Sequence, residues 1–215
     1  MSAAAEPALS PRRRWSSVAA LALAETVSWG VLFYTFGVLL PAMEADLGVG
    51  RTALTAIFSA ALLVGGLAAA PTGRWLDRWG ARRLMTSGAI AAALLLVGWA
   101  RAESFASLAL VWLGLGFTHA LVLYEPAFVA VTGWFAEPRE RARALLVITL
   151  VAGLASTIFL PVAGSLLVAH GWRTTVLVLA GIVAVVTIPV HASLPRHHGS
   201  SGAERARPGR RKGAE

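Results

Sequence analysis

Six apolar runs set the limits on what this chain can fold into. They cover Val18–Pro41, Ala53–Gly73, Leu84–Ala100, Phe105–Gly133, Ala144–Ala169 and Thr174–Leu194, and all nineteen basic residues lie between or outside them. About 20 apolar residues suffice for a helix to cross the hydrocarbon core of a bilayer. Of the 215 residues, 57% are hydrophobic and 14% charged, with a mean hydropathy of +0.68. A water-soluble domain of this length does not need so much apolar surface. The expected class is an all-α integral membrane protein with six spans. Arg12, Arg13 and Arg14 precede the first run as they would a signal peptide. That run is longer than a signal-peptide apolar core, and five more follow it, so it reads as a membrane helix.

The positions of the basic residues orient the spans. Sixteen of the nineteen fall in the N-terminus, the 73–83 loop, the 139–143 loop and the tail. Only Arg51, Arg101 and Arg173 fall on the opposite side. Cytoplasmic loops carry the excess of Lys and Arg, so both termini are expected in the cytoplasm, in a bacterial inner membrane. The same distribution sets aside a nucleic-acid partner despite the net charge of +8. Trp15, Trp75, Trp79, Trp99, Trp134 and Trp172 fall at expected span ends, as an interfacial aromatic belt requires. Three regions follow: a disordered cytoplasmic N-terminus (1–14), the transmembrane domain (15–195) and a disordered basic tail (196–215).

Two stretches share a spacing. GRWLDRWGARRLM carries Gly73, Gly80 and Arg82, with Pro71 just upstream. PVAGSLLVAHGWR carries Gly164, Gly171 and Arg173, with Pro161 upstream. The glycines are seven apart and the arginine follows two later in both. One stretch joins spans 2 and 3, the other spans 5 and 6, on opposite membrane sides. The pattern fits two three-helix units in inverted topology, an arrangement found in transporters.

GRWLDRWGARR resembles the loop signature of the major facilitator superfamily, Gly-x-x-x-Asp-Arg-x-Gly-x-Arg-Arg. PxxGxLxxxxGWR is similar to a second recurring pattern of that superfamily. Three further stretches resemble its monocarboxylate and oxalate/formate branch: ETVSWG (25–30), GLGFTHALVLYEP (114–126) and WFAEPRERARAL (134–145). The resemblance covers about residues 15–195. It implies half of a twelve-helix fold, transport of small organic solutes by alternating access, and organic anions such as monocarboxylates as the solute class. It also implies that Gly73, Asp77, Arg78, Gly80, Arg82 and Arg83 form a cytoplasmic latch. Pro161, Gly164, Gly171, Trp172 and Arg173 are the matching motif of spans 5 and 6. Two departures stand out. Leu110, Val111 and Leu113 occupy the region where many members carry an arginine. Ala42 follows Pro41 where animal monocarboxylate carriers often have a lysine, which argues against proton-coupled lactate-type transport.

An ionisable side chain at membrane depth costs about 2.5–3.5 kcal/mol on insertion scales, which makes each one a functional candidate. Glu25 lies about 15 Å from the level of Trp15, and Glu125 about 13 Å from that of Trp134, at ~1.5 Å per residue. Both sit near mid-depth, on spans 1 and 4, which the resemblance places along the central cavity. His119 can relay protons, and Tyr34 and Tyr124 can donate to a solute. Each also has a structural reading: Glu25 bonded to backbone or to a neighbouring helix, Glu125 beside a break made by Pro126, the others as packing residues. His191, His197 and His198 read as solvated. Gly65, Gly66, Gly114, Gly116 and Gly153 suit close helix contacts.

Other functions lack their residues. No Gly-x-Ser-Gly turn occurs in a span for a rhomboid-type protease, and without asparagine there is no Asn-Pro-Ala channel motif. The one lysine, Lys212, lies in the tail, so no phosphate-binding loop is present. No enzyme activity, cofactor or metal is expected. The expected partners are the lipid bilayer, a small-molecule solute, and a second six-helix half or a second copy. The alternative is a truncated or frameshifted fragment without transport activity of its own.

Overall fold

The computed structural model describes residues 9–195. Among them the secondary structure is helical, with no strand. Five runs are long and apolar enough to cross a membrane: α1 (Pro11–Leu47), α2 (Arg51–Trp79), α3 (Ala81–Ala100), α4 (Phe105–Trp134) and α5 (Pro138–Ser193).

Local chemistry explains where each begins, bends and ends. Ser10 caps α1 by accepting from the Arg13 amide, and Pro11 takes the first helical position. Arg12–Arg14 are therefore helical rather than part of a disordered tail; residues 1–8 and 196–215, with His197 and His198, lie outside the described residues. A π-helical segment, Gly30–Tyr34, interrupts α1, and Thr35 donates its hydroxyl to the Gly30 carbonyl at 3.0 Å. Gly48, at φ 63°, ends α1 in the left-handed conformation. A Ser104–Ser107 capping box opens α4. Leu123 breaks that helix (φ −86°, ψ −163°) before Tyr124 restarts it. Pro126 explains the break, since its ring would clash with the Val122 carbonyl in a continuous helix.

α5 has 56 residues, about 84 Å if straight, far more than one crossing. Ala144 and Ile148 near its start nevertheless share one apolar cluster with Leu194, just beyond its end. The chain turns back at Gly171, whose φ 76° and ψ 167° are not helical. Gly80, which separates α2 from α3, has almost the same conformation, φ 77° and ψ 155°. Both angles belong to a region open in practice only to glycine.

Two apolar clusters hold the bundle. Val18, Leu21, Met85, Val131, Phe135 and Ile148 belong to one. Phe36, Leu54, Trp99, Trp112, Leu179 and Val183 belong to the other. In lipid the driving force is close packing rather than the release of water. The α2/α4 crossing shows it: a Cβ at Gly116 would overlap the Ala61 carbonyl, and one at Gly65 would lie 2.9 Å from the Gly116 carbonyl. Gly66, by contrast, has open space around it. Outward faces are apolar and bare, as in Leu67, Leu94 and Val168. The expected aromatic belt is only partly seen. Trp79 is half exposed, whereas Trp99 is fully buried and donates to the Met43 sulfur at 3.2 Å.

Candidate functional site

The Leu123 break shapes a cleft between α1, α2 and α4. It leaves Tyr124 and Glu125 in the first turn of a new helix segment, where the dipole favours the Glu125 carboxylate. The π-helical segment of α1 shifts the facing side chains on the other wall, as such insertions do at functional positions. The cleft holds about 300 Å³. Trp29, Phe33, Gly66, His119, Tyr124 and Glu125 are among its lining residues.

The wall is aromatic. The Trp29 ring centroid lies 5.1 Å from that of Tyr124 and 5.4 Å from that of Phe33. Tyr34 sits edge-on to Phe33 at 5.2 Å, and Phe128 stacks on Tyr124 at 5.1 Å. Three of the five residues expected to face the solute, His119, Tyr124 and Glu125, line this one cleft directly. Glu25 and Tyr34 are both close enough to Tyr124 to act on it electrostatically.

Glu25 itself is wholly buried; the Trp29 indole N–H lies beside it without the geometry of a hydrogen bond, and neither carboxyl oxygen has another partner among the described residues. No backbone group bonds it among the described residues. His119 is 6% exposed, and its Nε2 is likewise unpartnered there. Groups buried this way are rare unless a ligand, a proton or a water serves them.

The latch residues form a different picture from the expectation. Gly73 lies inside α2 with nothing within 4 Å of a would-be Cβ, so it makes no close approach. Gly80 does form the tight turn. Asp77 is exposed in the last turn of α2, the negative end of its own helix, so any favourable dipole must come from elsewhere. No ion pair joins it to Arg78, Arg82 or Arg83 among the described residues. It borders a small hollow of about 70 Å³ with Gly80, Gly133, Trp134 and Pro195.

The second motif is tied down more firmly. Trp172 donates its indole N–H to Asp46 Oδ2 at 3.1 Å, and Arg173 forms an ion pair with the same oxygen. Arg173 also donates to the Ala102 carbonyl at 2.8 Å and lies 4.2 Å above the Trp172 ring. The Arg173 hydrogen bond, then that of Trp172, hold the Asp46 carboxyl below its ordinary range. Pro161 and Gly164 lie in the first arm of α5, and Gly164 has open space around it.

Several contributors were not singled out from the residue pattern. Trp29 and Phe33 follow Glu25 at intervals of four, a spacing that places all three on one helix face. Asp46 carried no local signal. Gly30 abuts the Phe159 ring so closely that any Cβ would overlap it. His191 was expected in solvent but is fully buried, its Nδ1 3.1 Å from the Met85 carbonyl, because the second arm of α5 packs along α3.

Apolar helices of spanning length make this a multi-pass membrane protein. The family model of the Major Facilitator Superfamily matches residues 18–214, most of the chain, and the protein belongs to that superfamily of membrane transporters of small solutes.

Proposed function

We propose that the chain is a six-span unit of a secondary transporter that moves a small organic solute by alternating access. The observation that carries this reading is the convergence of His119, Tyr124 and Glu125, with Glu25 and Tyr34 beside them, on one aromatic cleft. In this reading the two arms of α5 are separate crossings, and both termini lie in the cytoplasm of a bacterial cell. The matched conformations of Gly80 and Gly171 support two inverted three-helix repeats. The exposed latch residues and the open side of the cleft suit a second six-helix half, or a second copy, closing against them. Organic anions such as monocarboxylates fit this unit only when they arrive with a proton, because no arginine or lysine lines the cleft.

The absence of cysteine from the chain makes the test clean. Gly66→Cys places one thiol in the cleft, where a Cβ meets nothing within 4 Å. A membrane-impermeant maleimide should label it in both inside-out and right-side-out vesicles. Labelling from one side only would overturn alternating access. Single cysteines placed at Glu103 and Arg139 test topology in the same vesicles and should label from opposite faces.

A further inference from the structure

We infer that the cleft between α1, α2 and α4 recognises a small organic monocation, an ammonium group carried on a compact apolar body. This rests on the reading of the cleft as the solute site and names the solute class that it takes. The charge inventory comes first. Across the six apolar runs there is no arginine or lysine, and the only two carboxylates are Glu25 and Glu125. Glu125 lines the cleft, and Glu25 lies one helical turn before the lining residue Trp29 on α1. Glu25 is wholly buried with no cation beside it, where a carboxyl does not stay ionised, so Glu125 carries the charge at the cleft. It has no fixed counter-charge at membrane depth, and a solute cation can supply the opposite charge.

The unpartnered groups point the same way. Neither oxygen of the wholly buried Glu25 has a partner among the described residues. His119, which lines the cleft and is 6% exposed, also has an unpartnered Nε2. An anion would meet the Glu125 carboxylate here, with the Trp29 indole N–H, the Tyr124 hydroxyl and His119 as its neutral donors. A cation meets Glu125 as an attractive charge.

The wall supplies the other half of the recognition. Trp29 and Phe33 line the cleft beside Tyr124, and Tyr34 and Phe128 extend the array of rings behind them. Ring faces attract ammonium groups through their quadrupole, most strongly where water is excluded. The rings also accept an apolar body without any polar cost. A volume of about 300 Å³ is at the small end of ligand sites, which selects a compact amine over an extended one.

The test uses the full chain in lipid nanodiscs and three probes of matched size: benzyltrimethylammonium, its neutral carbon isostere neopentylbenzene, and 3-phenylpropanoate. Radiolabelled benzyltrimethylammonium should bind saturably and be displaced at least tenfold less well by either of the other two. Glu125→Gln, at an exposed cleft position where the side chain is not part of the packed core, should bring the cation and the isostere within threefold of each other. Glu125→Asp should keep most of the preference. Equal binding of the isostere, tighter binding of the carboxylate, or no saturable binding of the cation would overturn the assignment. Tighter carboxylate binding that is lost in Tyr124→Phe would do so while leaving the transport reading intact. One-sided labelling of Gly66→Cys would instead remove the transport reading and leave the binding result standing.

Discussion

Trp172 and Asp46 are 126 residues apart in the chain, yet the indole N–H of one donates to the carboxylate of the other at 3.1 Å. The contact ties the end of α1 to the turn at Gly171, and Arg173 extends it to the Ala102 carbonyl. Asp46 is solvent-facing, so the ion pair alone contributes little; the structural effect comes from three chain segments meeting at one carboxylate. Asp46→Ala should lower the melting temperature in detergent. Arg173→Gln should lower it too, and the double variant should fall short of the sum, because both changes release the same contact. Additive losses would show that the segments are held independently.

The same carboxylate gives a pH dependence with a defined sign. Its folded-state pKa lies below the ordinary value of 3.8, with the Arg173 hydrogen bond the largest cause and Trp172 next. A depressed acid pKa means that the folded state holds the proton less tightly than the unfolded state. The contribution is therefore complete above the unfolded value and is lost as pH falls through the folded one. Melting temperature measured from pH 6 to pH 3 should drop more steeply in the wild type than in Asp46→Asn. Parallel curves would exclude Asp46 as the titrating group.

These long-range ties mark the limit of what was legible in the residue pattern. Long apolar helices were legible because hydropathy acts locally, and the non-helical Gly171 stood out because its seven-residue spacing from Gly164 repeats that of Gly73 and Gly80. Glu25, His119 and Glu125 were legible because ionisable groups at membrane depth are costly enough to stand out singly. Asp46 was not, since a carboxylate beyond the end of an apolar run looks like any solvated acid until the fold delivers Trp172 and Arg173 to it. His191 failed for the opposite reason: a position near a span end suggests water, but the Met85 carbonyl lies against it. Gly73 shares its spacing with Gly164, and both have open space around them, so spacing alone did not indicate close packing.

Packing at the α2/α4 crossing separates glycines that look alike in the chain. A Cβ at Gly116 would overlap backbone at Ala61, which cannot move aside without shifting a helix. Gly116→Ala should cost about 1–3 kcal/mol, the usual range for overpacking. Gly37 has nothing within 4 Å, so Gly37→Ala should be neutral or gain up to about 1 kcal/mol from helix propensity. Thermal unfolding of the two single variants in the same detergent checks the contrast. Similar behaviour would mean that the crossing is looser than the backbone approach implies.

Asp77 is exposed and unpaired among the described residues, so its removal should not disturb the unit itself. If it latches against a second half, the effect belongs to transport. Asp77→Asn in an assembled carrier should cut uptake at least tenfold while leaving membrane insertion and melting temperature unchanged. Wild-type uptake in that variant would remove the latch.

Glu25 presents the reverse combination. A carboxyl with no exposure and no well-formed hydrogen bond among the described residues costs about 1–3 kcal/mol relative to a satisfied one. An apolar side chain of similar length avoids that cost without opening a cavity. Glu25→Leu should therefore raise the melting temperature by several degrees. The same variant should lower uptake, because the site loses a buried carboxyl that can exchange a proton during transport. Such a trade of function for stability is expected where a site keeps a strained group for its chemistry. A variant that melts lower than the wild type would show that Glu25 is held by bonds the fold depends on, and would return it to a structural role.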